Sequence, residues 1–209
     1  MGVAERKERE KQEMRKLILK AAKKLFVEEG YEKVNIRNIA QEIEYSVGTI
    51  YLYFKDKDEI LHELHTEGFD ELYRRQQTTL AIQNPLERLR KHGEIYVRFG
   101  LENPDYYDLM FISLSQAKKI QEKQEWVVGQ RTYEFLEQNI RDCIDADYIA
   151  EKDFEAATFA MWSLVHGIVS LITRRRVLMC PPEDMDRLIE DTLDFGINQI
   201  RSRREQVTS

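Results

Sequence analysis

Cysteine, proline and glycine are all scarce in this 209-residue sequence, which has two Cys, four Pro and nine Gly. Cys143 and Cys180 lie far apart and in no metal-ligand spacing. They read as small apolar side chains in a reducing compartment, with neither a disulfide framework nor a metal site expected. There is no phosphate-binding glycine loop and no dinucleotide fingerprint, so no cofactor is expected. No Ser/His/Asp set or close carboxylate pair gathers in one motif, and an enzyme is therefore not expected. Strand-like alternation, internal repeats and low-complexity tracts are also missing. Long apolar runs are limited to Ala156–Thr173, which carries no charge and is followed by Arg174-Arg175-Arg176. A membrane span needs about 20 mostly apolar residues. This run includes Thr158, Ser163, His166, Gly167 and Ser170, so a helix buried on all sides is expected, and no membrane. The highly charged N-terminal stretch predicts no secretory signal and a cytoplasmic protein.

With few helix breakers and abundant Glu, Lys, Leu, Ile and Ala, the sequence reads as all-α. The net charge of −6 would repel nucleic acid if it were spread evenly. It is not: residues 1–24 carry nine Lys/Arg against four Glu, and the remainder 23 Lys/Arg against 34 Asp/Glu. A basic end on an acidic body lets one end approach phosphate. A solvated helix face is the plainer reading of the same pattern.

Apolar periodicity predicts a first helix over 5–29, with Leu17, Ile18, Ala21, Ala22, Leu25 and Phe26 on one face and Gly30 as its stop. Asn35 caps a short second helix with Ile36, Ile39, Ala40 and Ile43 inward. Glu44-Tyr45 turns the chain, and Ser46 caps a third helix over 47–54. Asp56 caps a fourth helix running to about residue 82, with Glu59 placed for a capping box. Asn84-Pro85-Leu86-Glu87 starts a fifth, which Pro104 ends near Asn103. Further helices fit 105–115, 119–144, 153–178 and 183–203.

Three helices close together, the second and third joined by a tight turn, form a helix-turn-helix. On a helical wheel of the third, Val47, Ile50, Tyr51 and Phe54 cluster on one side, while Gly48, Thr49, Leu52 and Tyr53 point the other way. The outer set suits a major groove: Gly48 permits close backbone approach, and Thr49 and Leu52 suit base edges and thymine methyls. Tyr51 and Tyr53 can reach phosphate, Lys55 and Lys57 flank the module, and Ser46 at the helix start adds a donor. Double-stranded DNA is the expected partner.

The run Val47-Gly48-Thr49-Ile50-Tyr51-Leu52-Tyr53-Phe54-Lys55-Asp56-Lys57-Asp58-Glu59-Ile60-Leu61, with Ile18-Leu19-Lys20-Ala21-Ala22, Leu25-Phe26, Gly30-Tyr31 and Ile39-Ala40, resembles the tetracycline-repressor (TetR) family. The resemblance is strong over about residues 12–65. It implies DNA contacts at Arg37, Ser46, Thr49, Tyr51, Tyr53 and Lys57. Leu52 stands where many relatives carry an aromatic or polar residue, and Asn35 where Thr is usual. The implied architecture is a helix-turn-helix head over 1–60 and a larger helical regulatory and dimerisation body over 61–209. A homodimer through the last two helices is expected, with apolar stripes at Leu164, Ile168, Leu171, Leu188, Leu193, Ile197 and Ile200.

The body is rich in aromatics. A pocket for a small apolar effector is expected among Phe99, Phe111, Trp126, Tyr133 and Trp162, with His166 as a polar contact. Core packing is the plainer role for any one of them. The function expected is transcriptional repression released by that effector. The alternative is a structural DNA-binding protein of nucleoid-associated type, with no effector.

Overall fold

A computed structural model describes residues 2–112 and 127–201 of the chain. Every regular element among the described residues is helical: α1 Val3–Glu29, α2 Ile36–Glu42, α3 Val47–Tyr51, α4 Lys57–Gln77, α5 Pro85–Glu102, α6 Pro104–Tyr107, α7 Val127–Asp145, α8 Phe154–Thr173 and α9 Met185–Ile200. Short 3-10 turns at Thr78–Ala81, Glu151–Asp153 and Pro182–Asp184 punctuate the chain, and a π turn at Asp108–Ile112 continues α6.

Local chemistry sets the ends. Gly30 takes a φ of 87° that a side chain would resist, and its amide closes on the Phe26 carbonyl. Asn35 accepts from the Asn38 amide, Ser46 from Thr49, Asp56 from Glu59, and Asn84 from Leu86 and Glu87. Glu44 holds the turn before α3 at a φ of 59°.

Several ends fall short of the sequence expectation. α4 tightens into a 3-10 turn because the Thr78 and Thr79 hydroxyls donate back to the Arg75 and Gln76 carbonyls. α8 stops at Thr173, where Arg175 turns to a φ of 55° and the Arg174 to Arg176 amides close on Ser170, Ile172 and Leu171. Of the helix expected over 105–115, the described part is one α turn followed by the wider π turn that ends at Ile112, and 113–115 lie outside the described residues.

The chain forms two compact units, Met1–Phe69 with a segment beginning at Asp105, and Asp70–Pro104 with the chain from Gly129 onward. α4 contributes its first part to one and its last residues to the other. The first unit closes around Ile18, Ala22, Leu25, Phe26, Ile39, Ala40, Ile50, Phe54, Ile60, Leu61 and Leu64, joined by Leu109. Each such buried Ile, Leu or Phe side chain is worth about 1.5–3 kcal/mol against exposure, so this core alone can hold five-residue α3 in place.

The second unit gathers Leu89, Leu136, Ile140, Cys143, Ala157, Met161 and Ile197. Burial pushes the Cys143 thiol up to about 12, so it packs as an inert apolar group. α8 is long and apolar enough to cross a membrane by length and composition. It is not buried on all sides as expected. Ala157, Thr158, Met161, Val165 and Val169 face the core, while Phe159, Ala160, Ser163 and Leu171 are exposed.

Candidate nucleic-acid interface

α3 is short, and its outward face is set by what anchors it. Ile50 and Phe54 are fully buried, and Val47 and Tyr53 pack partly against the same core. Ser46 caps the helix start twice over, accepting from the Thr49 amide at 3.1 Å and bonding the Thr49 hydroxyl at 2.9 Å. At the far end the Arg15 guanidinium donates to the Tyr53 carbonyl at 2.7 Å, pairs with Glu63, and lies 4.3 Å over the Phe54 ring. The Glu59 carboxylate then accepts from the Lys55 amide at 2.6 Å. The α3 backbone is thus fixed from both sides, which is what base reading by a few side chains requires.

The exposed residues differ in part from the wheel. Gly48 and Leu52 point outward as expected, with Leu52 78% exposed and Thr49 half-buried. Tyr51 belongs to the outer face and not the inner one, at 55% exposed. Tyr53 is the reverse, half-buried against the core. Both tyrosines flank the inward face that Val47, Ile50 and Phe54 fill, so packing and not the wheel decides which of them is covered. Arg37 and Lys55 are exposed.

Lys57 was expected at the DNA backbone, yet its ammonium donates to the Tyr31 and Val34 carbonyls at 2.8 and 2.9 Å and sits 4.1 Å over the Tyr31 ring. Tyr31 in turn bonds Asp58. Lys57 is therefore a clasp between the α1–α2 loop and α4. Arg15 was not singled out from the sequence; it lies far from the motif along the chain, and nothing local marks it.

The basic end is also uneven. Residues 4–13 are exposed and balance their charges through Arg6–Glu10 and Arg9–Glu13 pairs. The surplus sits at Lys16, Lys20 and Lys23, which with Leu19, Leu64, Glu67 and Tyr106 line a cleft of about 290 Å³. Lys24 pairs with Glu42, and that hydrogen bond and charge raise its pKa.

Of the residues expected at an effector pocket, Tyr133, Trp162 and His166 come together, with ring centroids 5.4 and 5.0 Å apart. Tyr96 joins them, its hydroxyl 3.0 Å from Nε2 of His166. Burial pulls His166 down to about 4, so the ring is neutral at pH 7. Phe99 is fully buried in the same unit, with the Arg75 guanidinium 5.7 Å from its ring. Phe111 belongs to the other unit, where it meets Phe69 at 5.3 Å and Tyr107 at 5.5 Å. Trp126 lies outside the described residues. Sequence reasoning missed Phe135 and His92: His92 stacks on Phe135 at 5.5 Å, and Tyr73 meets Phe135 edge-on at 5.9 Å.

Comparison with known proteins agrees with this geometry. Residues 18–64 match the family model described as bacterial regulatory proteins, tetR family, and residues 89–195 match the tetracyclin repressor-like C-terminal domain. The chain is 22% identical over 187 residues to the uncharacterized HTH-type transcriptional regulator YobS of Bacillus subtilis, covering 90% of each. The HTH-type transcriptional regulator HbdR of an Aromatoleum species is 52% identical over 50 residues, 24% of this chain and 22% of that protein. The crystal structure of the regulator PfmR from Thermus thermophilus superposes with a TM-score of 0.68 at 25% identity, covering 87% of this chain and 97% of that one.

Proposed function

The chain belongs to the TetR family of bacterial transcriptional regulators, and on that premise we propose that it is a homodimeric cytoplasmic repressor that leaves a palindromic operator when a small apolar molecule binds. A DNA-binding head over 1–60 and a regulatory, dimerising body over 61–209 divide the roles. The observation that carries the reading is the rigidly held α3. Its outward residues, Gly48, Thr49, Tyr51 and Leu52, are small, hydroxylated or apolar, on a helix capped at one end and clamped by Arg15 at the other. Leu52 and Thr49 read bases. Arg37, Ser46, Tyr51, Tyr53 and Lys55 hold the backbone, and Lys57 acts through the loop it clasps.

The half-buried group of Tyr133, Trp162 and His166 favours a ligand-gated regulator over a purely structural DNA binder, because large side chains left partly open in one unit can be covered by an apolar molecule. The coupling needed is modest: about 1–3 kcal/mol changes operator affinity roughly 5- to 150-fold. The ligand must prefer the non-binding arrangement by that amount. Selection of randomised DNA by the full-length protein, followed by gel-shift titration with apolar compounds, tests both halves. Failure to enrich a palindrome removes the operator reading. If no compound that raises the melting temperature also releases DNA, the unregulated binder is the better account.

A further inference from the structure

The second unit holds a buried polar chain that its own atoms do not complete. Gln76 near the end of α4, His92 on α5 and Asn139 on α7 are each buried. The Asn139 amide has one possible orientation. Its oxygen accepts from Nε of Arg88 at 2.8 Å, and its nitrogen donates to the Phe135 carbonyl at 3.0 Å. That nitrogen also lies 3.2 Å from Nδ1 of His92, so Nδ1 must be the acceptor on the ring. Full burial keeps His92 neutral, its pKa lowered to about 4. A neutral imidazole carries one proton, which therefore sits on Nε2 and needs an acceptor. The structure places the Gln76 amide nitrogen 3.1 Å from Nε2, where two donors would face each other; exchanging the two ends of the amide puts its oxygen there to take that proton. The two ends of the amide are then fixed. The oxygen faces His92, and the NH2 group occupies the end that has no hydrogen-bond partner among the described residues.

A buried donor without an acceptor is costly and rare enough to need a reason. We infer that the Gln76 amide is the polar anchor of a ligand site in this unit, donating to the carbonyl oxygen of an uncharged, mostly apolar molecule. This rests on the effector-gated reading above and gives that effector a chemical class. The apolar part is met by the half-buried rings of Tyr73 and Phe135, the second of which stacks on His92. An ester, thioester or ketone fits better than a carboxylate. Among the described residues the neighbouring cations are already paired, Arg88 with Asp142, Arg75 with Glu71 and Glu102, and Arg131 with Asp70, and His92 is neutral, which disfavours a buried anion. The polar contact expected at His166 is satisfied by Tyr96, which leaves Gln76 as the group in need of a partner.

The test uses the full chain with three probes of equal chain length: methyl octanoate, octanoate and octane. Binding is followed by tryptophan fluorescence and by melting temperature. Methyl octanoate is expected to bind best, about tenfold tighter than octane. Gln76→Met should keep the octane affinity and erase the ester's advantage. Gln76→Glu, which replaces the NH2 group by oxygen, should take the ester below octane. Heteronuclear NMR gives an independent readout: the His92 proton should reside on Nε2, and the ester should shift the Gln76 side-chain amide signals. An ester preference that survives Gln76→Met, equal binding of ester and octane by the natural chain, or no saturable binding of any probe overturns the assignment. Ester binding without release of selected DNA upholds this site and sinks the effector-gated reading.

Discussion

Lys55 and Lys57 stand two residues apart and do different work. The Lys57 ammonium is engaged by the Tyr31 and Val34 carbonyls, whereas the Lys55 side chain is exposed beside the end of α3. Lys57→Ala should lower the melting temperature, because it leaves two carbonyls without their donor, at about 1–3 kcal/mol. Lys55→Ala should leave the melting temperature unchanged and reduce the log–log salt slope of DNA binding by about 0.9. Comparing both readouts for both variants checks the assignment; a Lys57→Ala protein as stable as its parent would refute it. The buried histidines give a pH signature. His65 donates from Nε2 to the Leu109 carbonyl at 2.6 Å, and burial pulls it down to about 4, as it does His92 and His166. The unfolded chain binds these protons near pH 6.5 and the folded chain only near 4. Their contribution is therefore complete above about pH 6.5 and falls away as the pH drops towards 4, at about 1.4 kcal/mol per unit for each ring. Urea denaturation across that window should show the loss. His65→Gln, which keeps a donor but does not titrate, should lessen the loss by that ring's share and leave the part due to His92 and His166.

At the level of elements, Gly68 on α4 marks a close approach. A Cβ there would lie 2.5 Å from Sδ of Met110 and 3.2 Å from the Tyr106 ring. Gly68→Ala should push the α6 and π-turn segment outward and destabilise the protein by about 1–3 kcal/mol. Calorimetry checks this, and an unchanged or raised melting temperature would show that the segment yields freely. The caps at Asn35, Ser46, Asp56 and Asn84 were legible in the sequence, because each is a short polar residue whose partner amide lies two or three positions away. The start of α3 was legible for the same reason. The π turn at Asp108–Ile112 was not, since it depends on the buried His65 that holds the Leu109 carbonyl from another helix. Gln76 was also invisible: a glutamine near a helix end reads as surface until the partners from α5 and α7 are in place. The split between Tyr51 and Tyr53 failed because both lie at the edge of the wheel's inward face, where tertiary packing decides which is covered.

For the whole molecule, the question is what covers the exposed face of α8 and α9. The sequence marked Leu193 and Ile197 as part of a pairing stripe, but both are buried within the single chain, Ile197 to 6% exposure. The outward apolar positions are Phe159, Leu171, Leu188 and Phe195, with Phe195 65% exposed. A helical stripe in sequence cannot say which apolar positions meet its own core: of the α9 positions in that stripe Leu188 is exposed, while Leu193 and Ile197 face the core. A lipid surface is a poor cover, because exposed Asp191 and Asp194 flank Phe195 and would be dragged into hydrocarbon. A second copy of the chain is the proposed cover, pairing the two faces about a twofold axis and placing two α3 helices on half-sites about 34–36 Å apart. Phe195→Asp should then yield folded monomers with a far-UV spectrum like the parent's, and operator binding should fall steeply because one half-site alone is held. Ile197→Asp should behave differently, unfolding the second unit by burying an unpaired charge. Light scattering and circular dichroism on the two variants separate the cases. A Phe195→Asp protein that stays dimeric at micromolar concentration would place the interface elsewhere. A folded monomer from Ile197→Asp would return that residue to the pairing stripe.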